Sequence, residues 1–349
     1  MSIFVSIASY RDPECPLTVK SLFENANNPD LITVGLCQQN DADDIDCVEQ
    51  KYINKIKVIR ISHFQAKGPT YARYLCSTLI SDEQYFLQVD SHTRFIKDWD
   101  IKLIAMLSKL KNMGIEKPII SHYPPEYDYK SKEVPHICKS FFNDRGMISF
   151  LGANNLEPSE TPKINAYIAA GMMFCEIKAI KEVPFDPNLD NLFVGEEILH
   201  SARFWTNGYD IYSPTENVIF HYYTRTGLPK FWDLKSIINE NVDRSDTISH
   251  EKVKIILKLI KNTNDINNTN YGLGTVRSLE DYYNFCGINI DTRKVTKNFC
   301  TGENDEDTAS FAYNALVNHT LVNDTFISRN INYIVLFLIV LLFICHWKL

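Results

Sequence analysis

Short apolar runs alternate with longer amphipathic stretches along the first hundred residues. The runs 3–8, 31–37, 56–61 and 85–89 are rich in Ile, Val, Leu and Phe and are bounded by polar residues, so they predict buried strands. Between them, 16–25 and 70–79 carry apolar residues at helical spacing, the second starting after Gly68-Pro69. This strand–helix–strand rhythm predicts an α/β fold with a mostly parallel central sheet and helices on both faces. An amphipathic helix follows at 101–111. The stretch 122–162 is rich in Pro, Tyr and Asn and has little periodicity, which predicts a loop-rich insertion covering a substrate. A strand-like run resumes at 169–175. Gly195-Glu196-Glu197 then opens a helix through Trp205, with its acids where the helix dipole favours negative charge. A last strand-like run, 218–223, carries His221.

The pattern changes near residue 230. Residues 230–328 are polar, Asn-rich and only partly helical, at 252–261, and no chemistry is legible there. Residues 331–347 are nearly all Ile, Leu, Val and Phe, with Tyr333 and Trp347 toward the two ends and Lys348 beyond. Apolar length with interfacial aromatics predicts a C-terminal transmembrane helix. A buried helix is the competing reading, disfavoured because no polar residue interrupts 334–345. The expected organisation is therefore a catalytic domain at 1–229, a polar extension at 230–328 and an anchor at 329–349. There are no internal repeats.

Charge and cysteine usage narrow the partners. A net charge of −7 argues against a nucleic-acid binder, yet a metal and one or two arginines can neutralise a nucleotide diphosphate locally. Nine cysteines are scattered without a C-x-x-C pair, several inside apolar runs (Cys76, Cys175, Cys345), which favours a reducing compartment over a disulfide scaffold. The run 3–8 is too short for a signal peptide and no basic region precedes it. The expected placement is a tail anchor with the catalytic domain in the cytosol. The sequons at Asn267, Asn318 and Asn323 would then be inert.

The chemistry concentrates where one apolar run ends. Phe86-Leu87-Gln88-Val89-Asp90-Ser91-His92 reads as a buried strand finishing in an acid and a histidine two residues apart. Ligands in α/β sheets collect at the carboxyl edge of the strands. There Asp90 and His92 could hold one divalent cation, Mn²⁺ or Mg²⁺, and through it a diphosphate. The alternative is a strand end capped by polar residues.

The order of motifs is similar to that of the GlcNAc-type polypeptide glycosyltransferases, including the cytoplasmic enzymes that modify hydroxyproline of a ubiquitin-ligase adaptor. More distantly, it resembles the mucin-type polypeptide GalNAc-transferases. The resemblance spans roughly residues 2–225. Its carriers are Phe4-Val5-Ser6-Ile7-Ala8-Ser9-Tyr10-Arg11-Asp12, Gly68-Pro69-Thr70-Tyr71-Ala72-Arg73, Val89-Asp90-Ser91-His92 with Trp99, Ala170-Gly171, Gly195-Glu196-Glu197, and His221. It implies a GT-A-like fold binding a nucleotide sugar through a metal-bridged diphosphate.

Carried over by position, the resemblance implies Asp90, His92 and His221 as metal ligands. It implies Ser9, Tyr10, Arg11, Arg73, Asp90, Gly171 and Glu197 on the donor side, and Glu196 at the donor sugar or reaction centre. Glu197 departs from the GalNAc-transferase pattern, which has an amide there. The acids Asp41, Asp43 and Asp44 could reach the base or form a solvated charge run. Arg225 is a further candidate for stabilising the leaving group. The reaction expected is transfer of GlcNAc from UDP-GlcNAc to a polypeptide hydroxyl (hydroxyproline, Ser or Thr) with retention, since no separate nucleophile is evident. Two other readings stay open: a membrane-associated transferase extending a glycan or glycolipid, and a silent binding module on the same fold.

Overall fold

The computed structural model describes residues 1–234, 240–261 and 270–303. Four parallel strands stand where the first apolar runs predict them: β1 (Ile3–Tyr10), β2 (Ile32–Asn40), β3 (Ile56–Ser62) and β4 (Tyr85–Asp90). β1 pairs with β2 and β4, and β2 with β3. Three helices connect or follow them: α1 (Cys15–Asn25), α2 (Pro69–Ser77) and α3 (Trp99–Asn112). The first five residues of β1 are all buried, as a central strand covered on both faces requires. Close packing fixes residue size between neighbours. A Cβ at Gly35 of β2 would lie 2.0 Å from the Phe4 ring, so the glycine leaves room for that phenylalanine.

The second half completes the sheet with mixed polarity. β5 (Thr93–Phe95) leaves the sheet, and β6 (Pro118–Ser121) rejoins it. The expected insertion carries four short strands, β7 (Val134–His136), β8 (Ser140–Phe142), β9 (Ile148–Phe150) and β10 (Asn154–Leu156). After β11 (Lys163–Asn165) come β12 (Met172–Glu176), α4 (Ile177–Glu182), α5 (Glu196–Thr206), β13 (Asp210–Ser213) and β14 (Ile219–His221). The eight-stranded order is β11-β13-β6-β12-β4-β1-β2-β3. β12 is antiparallel to β4 and β6, and β11 to β13, while β13 is parallel to β6.

Beyond residue 230, α6 (Glu240–Ile256), α7 (Leu279–Cys286) and the two-residue strands β15 (Ile288–Asn289) and β16 (Lys294–Val295) follow. Val253, Ile256, Leu257, Tyr282 and Tyr283 pack in one apolar cluster with Ile198, Leu199, Ala202 and Trp205 of α5. Phe204 of the same helix packs into another cluster, with Phe86 and Met173 on the sheet. α5 is thus apolar on both sides and buried, which draws its N-terminal acids into the interior. All described residues belong to one unit, Met1–Asn304.

Two expectations meet the structure here. Cys138 and Cys300 form a disulfide, which corrects the expectation of unpaired cysteines; 162 residues separate them, too far for spacing to reveal. The compartment argument loses the support it drew from unpaired thiols. Cys76 and Cys175 are free and buried, small hydrophobes as read. The segment 331–347 expected to cross a membrane, Cys345 and the three sequons lie outside the described residues. Among those described, no helix is long and apolar enough to cross a membrane.

Candidate active site

Register places the chemistry at one edge of the sheet. Ala8 of β1 pairs with Asp90 of β4, so both strands finish together. β12 runs the other way and starts opposite Val89, bringing Ala170 and Gly171 to the same edge. A Cβ at Gly171 would sit 3.5 Å from Asp90 Oδ2 and 3.3 Å from Pro124 Cδ, so the small residue keeps the backbone close to the acid. β14 pairs antiparallel with β5, setting His221 opposite Thr93, and Tyr222 N–H donates to His92 O at 3.0 Å. This ribbon carries the third group across a gap of 129 residues from His92.

Asp90, His92 and His221 converge there, each offering one ligand atom within 4.8 Å of the others. It is the one such cluster of three among the described residues. His221 Nε2 lies 3.1 Å from Asp90 Oδ2. One carboxylate and two imidazoles fit a divalent cation of the Mn²⁺ type. Burial would raise the Asp90 carboxyl, but the contact with His221 and the charges of His92 and Arg73 outweigh it and hold Asp90 well below the usual range. Asp90 is therefore an anion ready to ligate. The His221 ring packs against His92 at 4.4 Å and Tyr223 at 4.1 Å between centroids. His92 Nδ1 lies 2.7 Å from Asp12 Oδ2. Asp12 also accepts from Ser91 Oγ at 2.6 Å and pairs with Arg225 Nη2 at 3.3 Å.

A second acidic group stands on the adjoining wall. Arg73, buried, pairs with Glu196 and reaches Asp90 Oδ1 at 3.4 Å. Burial opposes the guanidinium charge, but Glu196 and Asp90 more than offset it. Glu196 itself is raised, chiefly by burial. Glu197 Oε1 accepts from Ala170 N–H at 2.8 Å and its Oε2 from Tyr123 hydroxyl at 2.5 Å. Burial pushes the Glu197 carboxyl up to about 7, only partly opposed by those two donors. Gly195 (φ 101°) precedes the helix in the left-handed region, and a Cβ there would meet Met147 Cε at 3.0 Å.

These residues line a cavity of about 540 Å³, a size suited to a small ligand. Of the residues expected from sequence, Tyr10, Arg73, Asp90, His92, Gly171, Glu196, Glu197, His221 and Arg225 line it. Ser9 and Arg11 do not. The Ser9 side chain is buried and meets Cys47 Sγ at 3.6 Å. Arg11 turns to Asp44 through Nε–Oδ2 at 2.8 Å and Nη2–Oδ1 at 3.1 Å, which also accounts for one of the three loop acids. Sequence reasoning missed Tyr123, Phe150, Phe193 and Trp232 on the cavity wall. It quoted Asp12 only within a motif. No local signal marks the four wall residues. Asp12 lies two residues past the end of β1 and four past the apolar run 3–8 that predicts it, and an acid so close to that carboxyl edge could have flagged it.

Comparison with known proteins agrees with this architecture. The profile of the glycosyltransferase (GlcNAc) family matches residues 2–55 and 50–292. A crystal structure of GalNAc-T7 with UDP, GalNAc and Mn²⁺ superposes with a TM-score of 0.55 at 14% identity, over 81% of this chain and 56% of that one. The S. aureus TarS 1-349 structure gives a TM-score of 0.46 at 14% identity, over 64% of this chain and 60% of that one. TarS 1-349 in complex with UDP-GlcNAc gives 0.44 at 13% identity, over 73% of each chain. The chain thus spans little more than half of GalNAc-T7 and three fifths of the first TarS structure. No curated protein matches the sequence. At such low identity the GalNAc-T7 likeness speaks for the GT-A-like fold alone. The family profile reaches across the strand edge, the Asp90–His92 turn, α5 and β14, and on that match the chain belongs to the glycosyltransferase (GlcNAc) family.

Proposed function

We propose that this protein transfers GlcNAc from UDP-GlcNAc to a hydroxyl acceptor on a polypeptide, with retention and with a bound divalent cation. The observation that carries the reading is the convergence of Asp90, His92 and His221 on the floor of the cavity. These three residues would hold Mn²⁺ or Mg²⁺, which when bound supplies Lewis-acid stabilisation to the departing diphosphate. Arg225 faces the same cavity, and its Nε is buried without a partner among the described residues, so it offers an N–H to a phosphate oxygen. Tyr10, at the end of β1, would flank the nucleotide.

The acids support a route without a covalent intermediate. Each carboxylate on the cavity wall is already engaged: Asp90 by His221 and Arg73, Glu196 by Arg73, and Glu197 by Tyr123 and a backbone N–H. We read these contacts as holding the three acids in place, with no carboxylate assigned to attack the sugar. Retention would then follow from same-face attack, with the acceptor proton passing to the leaving phosphate. Glu196 and Arg73 would border the donor sugar, and the polypeptide would approach over the cavity mouth. The apolar segment 331–347 would tether the domain to a membrane.

The test is UDP release from UDP-GlcNAc by the purified protein with Mn²⁺, with and without a hydroxyproline, Ser or Thr peptide. Turnover that requires the cation and rises with peptide supports the reading. Absence of turnover with UDP-GlcNAc across Mn²⁺ and Mg²⁺ contradicts it.

A further inference from the structure

The two imidazoles of the proposed cation site are held in different ways. His221 sits on a strand, fixed by the β14–β5 ladder and by ring packing, and its Nδ1 has no hydrogen-bond partner among the described residues. His92 lies in the turn after β4, held to the ribbon through its carbonyl and to His221 by the same ring packing. His92 Nδ1 meets the buried Asp12 carboxylate at 2.7 Å. An ionised carboxylate only accepts, so Nδ1 carries the proton and Nε2 keeps its lone pair for the shared point with Asp90 and His221. The two oxygens of Asp12 divide their work. Oδ1 accepts from Glu14 N–H at 3.0 Å at the entry to α1, whereas Oδ2 takes Ser91, His92 and Arg225 together.

We propose that Asp12 is a positioning residue for the cation site: through Oδ2 it sets the tautomer and ring orientation of His92 and, from the same oxygen, fixes the Arg225 guanidinium at the cavity. The proposal rests on the cation site argued above. Carboxylate partners of ligating histidines typically change metal affinity 10–100-fold. One carboxylate would thus couple the ligand set to the cation that faces the leaving phosphate, so that both are placed by a single residue at the end of β1.

Asp12→Asn separates this role from the helix-entry role. An asparagine keeps an oxygen for Glu14 N–H. It presents an amide N–H₂ where Ser91 and His92 donate and where the Arg225 guanidinium is paired. Mn²⁺ binding by the full chain, measured calorimetrically without nucleotide, should weaken about 10–100-fold in Asp12→Asn. The metal-free variant should melt below wild type, because a buried carboxylate that pairs with Arg225 is lost, yet keep the circular dichroism of the folded protein, and Asp90→Ala should abolish binding. Wild-type affinity in Asp12→Asn beside lost binding in Asp90→Ala would overturn the role of Asp12 and leave the cation site standing. Unchanged binding in both would overturn the cation site itself. Should Asp12→Asn fold poorly, ring ¹⁵N NMR of the metal-free wild type decides. An Nδ1-protonated His92 supports the proposal, and an Nε2-protonated one overturns it.

Discussion

Two carboxylates that line the same cavity, Asp90 and Glu197, are shifted in opposite directions by their neighbours. Both are withdrawn from bulk water, which by itself raises a carboxyl. At Asp90, a histidine at 3.1 Å, a second imidazole and a guanidinium reverse that tendency and keep it anionic. At Glu197 the partners are a phenol and one backbone N–H, too weak to reverse it, and the carboxyl rises to about 7. The lesson is that position in a cavity does not assign a role; the charge of the partners does. The partners of Asp90 keep it an anion, as the proposed cation site needs. Glu197 is built to pin Ala170, whose carbonyl takes Gln88 Nε2 at 2.6 Å and so steadies the strand edge beside Asp90.

The largest effect should come from the anionic side. Asp90→Ala, and separately His221→Ala, should lower turnover of UDP-GlcNAc by about 10²-fold or more, the scale of losing one preorganised electrostatic group. Far-UV circular dichroism should remain that of the folded protein. Turnover within a few-fold of wild type in both variants would break the contrast at its strong end.

Glu196→Gln tests the residue between the two. It removes the charge facing buried Arg73 and leaves that guanidinium the longer contacts to Asp90 and to the Ala170 carbonyl. Stripping one partner from a buried ion pair costs about 3–5 kcal/mol. The expected result is a clear drop in denaturation midpoint together with a fall in kcat of about 10²-fold. Calorimetry should find UDP binding nearly unchanged; lost UDP affinity would relocate Glu196 to the nucleotide side.

Glu197→Gln should do least to turnover, within about tenfold, since an amide can keep both hydrogen bonds. Its signature is in stability against pH. In the unfolded chain the carboxyl ionises near 4.5, whereas in the fold it keeps its proton to about 7. As pH rises through that window the unfolded state has released a proton that the native state still holds, so this group lowers stability progressively and then levels off above about 7. Glu197→Gln lacks that loss. Its melting temperature should therefore gain on wild type between pH 5 and pH 7.5, and a constant difference across the window would show that Glu197 is ionised throughout.

The same contrast explains what was legible in the chain. In the parallel half of the sheet, β1, β2 and β4 could be read because each is a mostly apolar, largely buried run, and the edge strand β3 because Ile56, Val58, Ile59 and Ile61 stand out among its polar residues. Asp90 and His92 could be read because they sit on such a strand's end. Tyr123 could not be paired with Glu197, because a hydrogen bond across 74 residues leaves no periodic trace. The short strands β7 to β10 escaped for a related reason: three residues are too few to show alternation. Arg11 illustrates the reverse error. Its motif pointed to the donor, yet Asp44 on the neighbouring loop claims both ends of its guanidinium fork. The Cys138–Cys300 pair is invisible in the scattered cysteine spacing, because nothing in sequence reports that Phe299 N–H reaches Cys138 O at 2.8 Å and brings the two segments together.

The central claim is that Asp90, His92 and His221 bind one divalent cation at the cavity floor. Crystals grown with MnCl₂ and UDP, measured near the manganese absorption edge, test it without reference to turnover. The account predicts a single strong anomalous peak within ligating distance of an Asp90 carboxylate oxygen, His92 Nε2 and His221 Nε2. A cavity without such a peak at saturating Mn²⁺, or a peak on other residues, would contradict it.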